Sequence, residues 1–109
     1  MRPCGVTRAR RWSLVRVRGR SMAPTLAEGD VLLIHAGAAR ARPGRIAVLE
    51  LPGDRPLAVK RLGERRDGGW WVERDNPAEG VDSWLVGALA ETALRGVALA
   101  RVWPRPRRL

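Results

Sequence analysis

The chain has 109 residues, 45% of them apolar, which excludes a disordered protein and fits one domain with a modest core. Its formal charge of +10 suits an anionic partner, nucleic acid or an anionic membrane, but much of it lies at the ends, in Arg2, Arg8, Arg10 and Arg11 and in Arg101, Arg105, Arg107 and Arg108. A single cysteine, Cys4, and a single histidine, His35, argue against an internal disulfide and against a zinc site.

In chain order, residues 1–11 read as a disordered basic tail. Trp12–Arg18 alternates as a strand, with Val15 and Val17 on one face. Residues 19–26 then place a glycine, a serine and a proline close together, so the chain turns and presents Ser21. A serine there is either a helix cap or a nucleophile. Glu28-Gly29-Asp30 is a tight turn, and Val31–Ile34 a buried strand. His35 follows it; a triad with Ser21 and Asp82 is conceivable, and a strand-end histidine facing solvent is the simpler expectation.

Gly37–Arg42 is a loop and Arg42-Pro43-Gly44-Arg45 a turn. Ile46–Leu51 and Leu57–Leu62 form a hairpin across Pro52–Pro56. Asp67-Gly68-Gly69 turns the chain into Trp70–Glu73. Residues 74–87 look irregular, 88–94 suggest a short helical turn, and Gly96–Trp103 is a final strand ended by Pro104 and Pro106. Short strands with close turn signals predict an all-β or mostly-β, barrel-like domain over residues 12–103, followed by a basic tail at 104–109. No window reaches the ~18 apolar residues of a membrane span. The N-terminus lacks the apolar core of a signal peptide. A cytoplasmic protein is expected.

Composition singles out Lys60. It is the only lysine among 21 basic residues. Arginine keeps its proton in proteins, whereas a buried lysine can lose it. Strand alternation puts Ala58 and Leu62 on the same face, so the amine is expected to be desolvated and its pKa lowered. The alternative is one lysine surviving in an arginine-biased composition. Together, Ser21 and Lys60 suggest a Ser–Lys hydrolase, in which a desolvated lysine serves as sole base.

These residues also match a family pattern. Gly19-Arg20-Ser21-Met22-Ala23-Pro24-Thr25-Leu26, followed by Gly29-Asp30, resembles the nucleophile box of the type I signal peptidase superfamily. Val59-Lys60-Arg61 resembles its lysine box, and Asp75-Asn76-Pro77, running to Asp82-Ser83 and Gly87, its third box. Self-cleaving repressors of the LexA type share part of the first box. A repressor core should carry a helix-turn-helix domain and an internal cleavage site, and residues 1–18 are expected to be too short for either.

Within the superfamily the chain most resembles the short nickel-type superoxide dismutase maturation proteases, which lack a membrane anchor and a large inserted domain. The resemblance implies endoproteolysis of a dismutase precursor, exposing a nickel-binding N-terminus, with no cofactor or metal in the protease. It implies Ser21 as nucleophile, Lys60 as general base and then acid, and the Ser21 N–H as an oxyanion donor. Met22 and Pro24 would shape the turn, with Gly19, Asp75, Asn76, Asp82 and Ser83 in support. The pattern is altered at Arg74, where the family has glycine, and at Gly80, where many members have a serine that orients the lysine. Trp84 replaces the arginine of an Asp-Ser-Arg run, and Gly19 stands where some members carry an oxyanion-donating hydroxyl. Two other readings remain: a signal peptidase-like protease of other substrates, and a basic β domain that binds nucleic acid. Against the last, adjacent Trp70 and Trp71 point to opposite faces of a strand.

Overall fold

The computed structural model describes residues 11–52 and 57–109. The chain is mostly β, a compact globule built on one curled antiparallel sheet shaped as a half-barrel. The strands are β1 (Trp12–Arg16), β2 (Val31–Ala36), β3 (Ile46–Glu50), β4 (Leu57–Arg66), β5 (Gly69–Glu73), β6 (Leu89–Ala90), β7 (Leu94–Trp103) and β8 (Arg107–Arg108). Their spatial order is β1-β2-β7-β3-β4-β5-β6, with β8 on β7. The segment expected as a disordered tail lies, except for Arg11, outside the described residues.

The sheet curls around β3. Ile46 and Val48 face one core cluster, with Val17, Met22, Leu26, Leu32 and Ile34. Ala47 and Leu49 face the other, with Leu62, Trp70, Val72 and Leu89. A strand buried on both faces needs no alternation, which is why Ile46-Ala47-Val48-Leu49 reads as one apolar run. Trp70 belongs to this core, so Trp70 and Trp71 offer no shared stacking surface.

Several boundaries differ from expectation. β4 runs on to Arg66 and meets β5 across Asp67-Gly68, both at positive φ, the backbone of a tight hairpin turn. The helical turn expected at 88–94 is instead β6 plus a 3₁₀ turn at Glu91–Ala93, because Trp70 pairs with Leu89. Within the irregular stretch, Ser83–Val86 closes one helical turn, α1, capped by Asp82. The residues expected as a C-terminal tail turn back to pair Arg107 with Arg101, and Leu109 packs on the first core cluster. His35 does not sit at the end of its strand facing solvent. It lies within β2, opposite Trp12 and Val97, half-buried, with its ring edge-on to Trp12 at 4.7 Å.

Candidate active site

The turn after β1 is anchored from below and gripped from the side. Met22 and Leu26 are in the core, 1% and 0% exposed, and the Leu26 N–H donates to the Met22 carbonyl at 2.9 Å. With Met22 fixed inward, Ser21 and Ala23 are left at the margin of the core. Asn76 holds the same turn by its backbone. Its N–H donates to the Ser21 carbonyl at 2.8 Å and its side-chain amide to the Arg20 carbonyl at 2.9 Å. Gly19 takes φ +77, a conformation that favours glycine, and the Ala23–Pro24 peptide is cis.

Lys60 reaches the turn from β4. Ser21 Oγ and Lys60 Nζ lie 2.8 Å apart, a hydrogen bond across 39 residues of sequence. The Ser21 hydroxyl therefore faces the amine rather than capping Met22–Leu26. Lys60 is 4% exposed, although neighbouring Val59 and Arg61 are half-buried. Desolvation by burial pushes its pKa below the usual lysine value; the Asp82 charge opposes this shift and the Arg74 charge adds to it. At 2.8 Å an amine freed of its proton can accept one from the serine hydroxyl.

A layer of ion pairs stands behind the two residues. Arg61, next to Lys60 but on the other face of the strand, donates to Asp75 from Nε at 2.9 Å and from Nη2 at 2.7 Å. Thr25 Oγ1 donates to the same carboxylate at 2.6 Å. Asp75 thus joins the lysine strand to the serine turn. The Arg61 hydrogen bonds, with help from Thr25, hold its pKa below the usual carboxylate range. Asp82 is buried and accepts from the Trp84 N–H at 3.1 Å and the Arg74 N–H at 3.2 Å, with Arg74 Nε at 3.5 Å. Arg74 and Trp84 are two departures from the resembled pattern, yet a guanidinium still meets Asp82, supplied from position 74.

No hydrogen bond joins Ser83 to Ser21 or Lys60. The buried Ser83 hydroxyl accepts the Val72 N–H at 2.8 Å, which pins α1 to β5. His35 packs on Trp12 and is not among the groove-lining residues, so the imagined Ser-His-Asp triad is not assembled. Three contributors were not picked out from the sequence. Arg61 and Thr25 sit within the boxes themselves, so their place beside Lys60 and Ser21 could have flagged them. Glu79, which accepts the Arg20 N–H at 2.9 Å, carries no such signal.

A groove of about 570 Å³ opens in front of Ser21 and Lys60. Val15, Val48, Leu57, Val59 and Val81 give it apolar walls, and Glu79 and Gly80 form its rim. β3 pairs β4 from Leu57 to Arg61 and β5 pairs β4 from Arg61 onward. Among the described residues, the outer edge of Leu57–Lys60 therefore has no strand beside it. No helix among them is long and apolar enough to cross a membrane, and no three His, Cys, Asp or Glu side chains converge to hold a metal ion.

A serine thus lies beside a buried lysine, at the head of an apolar groove, on a curled β half-barrel. The comparison with protein families names the class: residues 3–96 match the family described as Peptidase S24-like, and the chain belongs to it. It is a serine protease of the LexA/signal peptidase type. No curated protein matches the chain.

Proposed function

We propose that the chain is a Ser–Lys endopeptidase that removes the N-terminal extension of a nickel superoxide dismutase precursor. The observation that carries the chemistry is the 2.8 Å contact between Ser21 Oγ and the buried Lys60 Nζ. The substrate is inferred from the resemblance of the three boxes to that branch of proteases. The runner-up is a signal peptidase-like protease acting on other proteins.

In this reading the substrate lies extended in the groove and pairs with the open edge of β4. The Lys60 amine takes the Ser21 hydroxyl proton as Oγ attacks the scissile carbonyl. The Ser21 N–H, which has no acceptor among the described residues, donates to the developing oxyanion, a type of contact worth about 3–4 kcal/mol. The Lys60 ammonium then protonates the leaving amine, and an acyl-enzyme remains. Water attacks the ester, Lys60 accepts its proton, and Oγ leaves with that proton restored. Because the base works without its proton, kcat/KM rises with pH through the Lys60 pKa, at a pH below the usual lysine value.

The test mixes the purified protein with a nickel superoxide dismutase precursor from the same genome and reads the product N-terminus by mass spectrometry. Ser21→Ala and Lys60→Arg run alongside; the arginine keeps the charge but supplies no neutral amine. Trimming to a histidine N-terminus, lost in both variants, is expected. Trimming that survives Lys60→Arg refutes the lysine base. An intact precursor with wild-type protein refutes the substrate.

A further inference from the structure

Arg74 makes contacts that the reaction itself does not require. Its side chain is 19% exposed and lies inward, against the loop that closes over the site. Nη1 donates to the Gly80 carbonyl, and Nε lies 3.5 Å from Asp82 Oδ2. Gly80 lies directly beside Ser21 and Lys60. A Cβ built on it would fall 2.6 Å from Ser21 Cβ and 3.4 Å from Lys60 Nζ. The Gly80 backbone is therefore a wall of the site, and Arg74 holds it by its carbonyl.

Asp82 is the second reason. The Trp84 and Arg74 backbone N–H groups already satisfy its carboxylate oxygens. What the guanidinium adds is charge. A buried carboxylate close to Lys60 favours the ammonium, the wrong protonation state for a base. We propose that Arg74 is a positioning residue: it clamps Gly80 against Ser21 and Lys60, and it engages Asp82 so that this carboxylate does not hold Lys60 as an ammonium ion. The proposal rests on the Ser–Lys reading of the site.

The other charged groups near Lys60 do not do this work. Glu79 accepts the Arg20 N–H, and exposed Arg18 and Arg20 line the groove beyond Ser21. Arg61 faces away from Lys60 onto Asp75. Arg74 is thus the cation placed between Asp82 and the wall of the pair. Its charge lowers the Lys60 pKa, against the Asp82 charge that raises it, both beneath the larger effect of burial.

Lys60 is the only lysine, so protein grown with lysine labelled at Cε with carbon-13 gives one lysine side-chain signal, except in Arg74→Lys, where the second signal is assigned by its persistence in Arg74→Lys/Lys60→Arg. Its pH titration is recorded for wild type, Arg74→Ala, Arg74→Gln, Arg74→Lys and Asp82→Asn, with the backbone amide spectrum reporting the fold. Loss of the cation is expected to raise the Lys60 midpoint. Arg74→Lys should recover most of that shift, and Asp82→Asn should move the midpoint below wild type. A folded Arg74→Ala or Arg74→Gln protein with an unmoved midpoint overturns the proposal. So does an unmoved midpoint in Asp82→Asn, which serves if the Arg74 variants do not fold. A wild-type midpoint at the ordinary lysine value fails the Ser–Lys reading instead, so the two failures are separate results. A loss that was only structural would collapse the amide spectrum and return Lys60 to the ordinary lysine value, so a raised midpoint counts only where that spectrum stays native.

Discussion

Gly80→Ser is the most informative single change. By the family resemblance, a serine here should help by orienting the lysine. The structure predicts harm. Gly80 adopts φ +98, where an L side chain is strained by about 1–3 kcal/mol. The new Cβ would also fall 2.6 Å from Ser21 Cβ, closer than carbon atoms approach without displacement. Ser21 cannot easily yield, because its carbonyl is held by Asn76 and the next residue, Met22, is 1% exposed in the core. The strain alone should lower Tm by roughly 4 °C or more. Relief of the contact means that the Gly80 backbone or Ser21 shifts by several tenths of an ångström. Misplacement approaching 1 Å costs on the order of 100-fold in rate. The assay is thermal unfolding together with the rate at which Ser21 is acylated by a small activated ester, read by intact mass. A Gly80→Ser protein with unchanged Tm and equal or faster acylation would refute the reasoning, since the loop would then be able to hold the side chain elsewhere.

Three further outcomes follow from the same geometry. Met22→Ala should cost about 2–5 kcal/mol by leaving a core cavity beside Ser21, seen in denaturant unfolding together with slower acylation of Ser21. Ser83→Ala should cost about 1–3 kcal/mol, because the buried Val72 N–H loses its acceptor, while the Lys60 titration stays in place. Asp75 has a folded pKa below its unfolded value, so its contribution is present above the ordinary carboxylate pKa of about 4 and is lost as pH falls through the lower folded value. The Tm of wild type should therefore fall more steeply than that of Asp75→Asn in this acid range; parallel curves would remove Asp75 as the tie between β4 and the serine turn.

The sequence carried more of the site than of its surroundings. Ser21 and Lys60 were visible for chemical reasons: a serine on a Gly-Pro turn, and the one basic residue able to shed its proton. Short apolar runs between Gly and Pro signals announced a β fold, and Asp67-Gly68 announced its hairpin. The 88–94 segment misled because Ala, Leu and Glu favour helix locally, while the pairing of Trp70 with Leu89 is a long-range contact that overrides propensity. The C-terminal arginines likewise looked like a solvated tail, because nothing local shows that Arg107 will find Arg101.

By itself the sequence determined the residue chemistry, the strand and turn pattern and the apolar face on which Lys60 lies, since side-chain type and alternation are local properties. Only the tertiary structure decided that Lys60 meets Ser21 across 39 residues, that Ser83 props β5 instead of serving the pair, and that Arg74 supplies the cation for Asp82. The reason is physical: burial and charge pairing depend on which strands become neighbours, and that is settled by packing both faces of β3 at once.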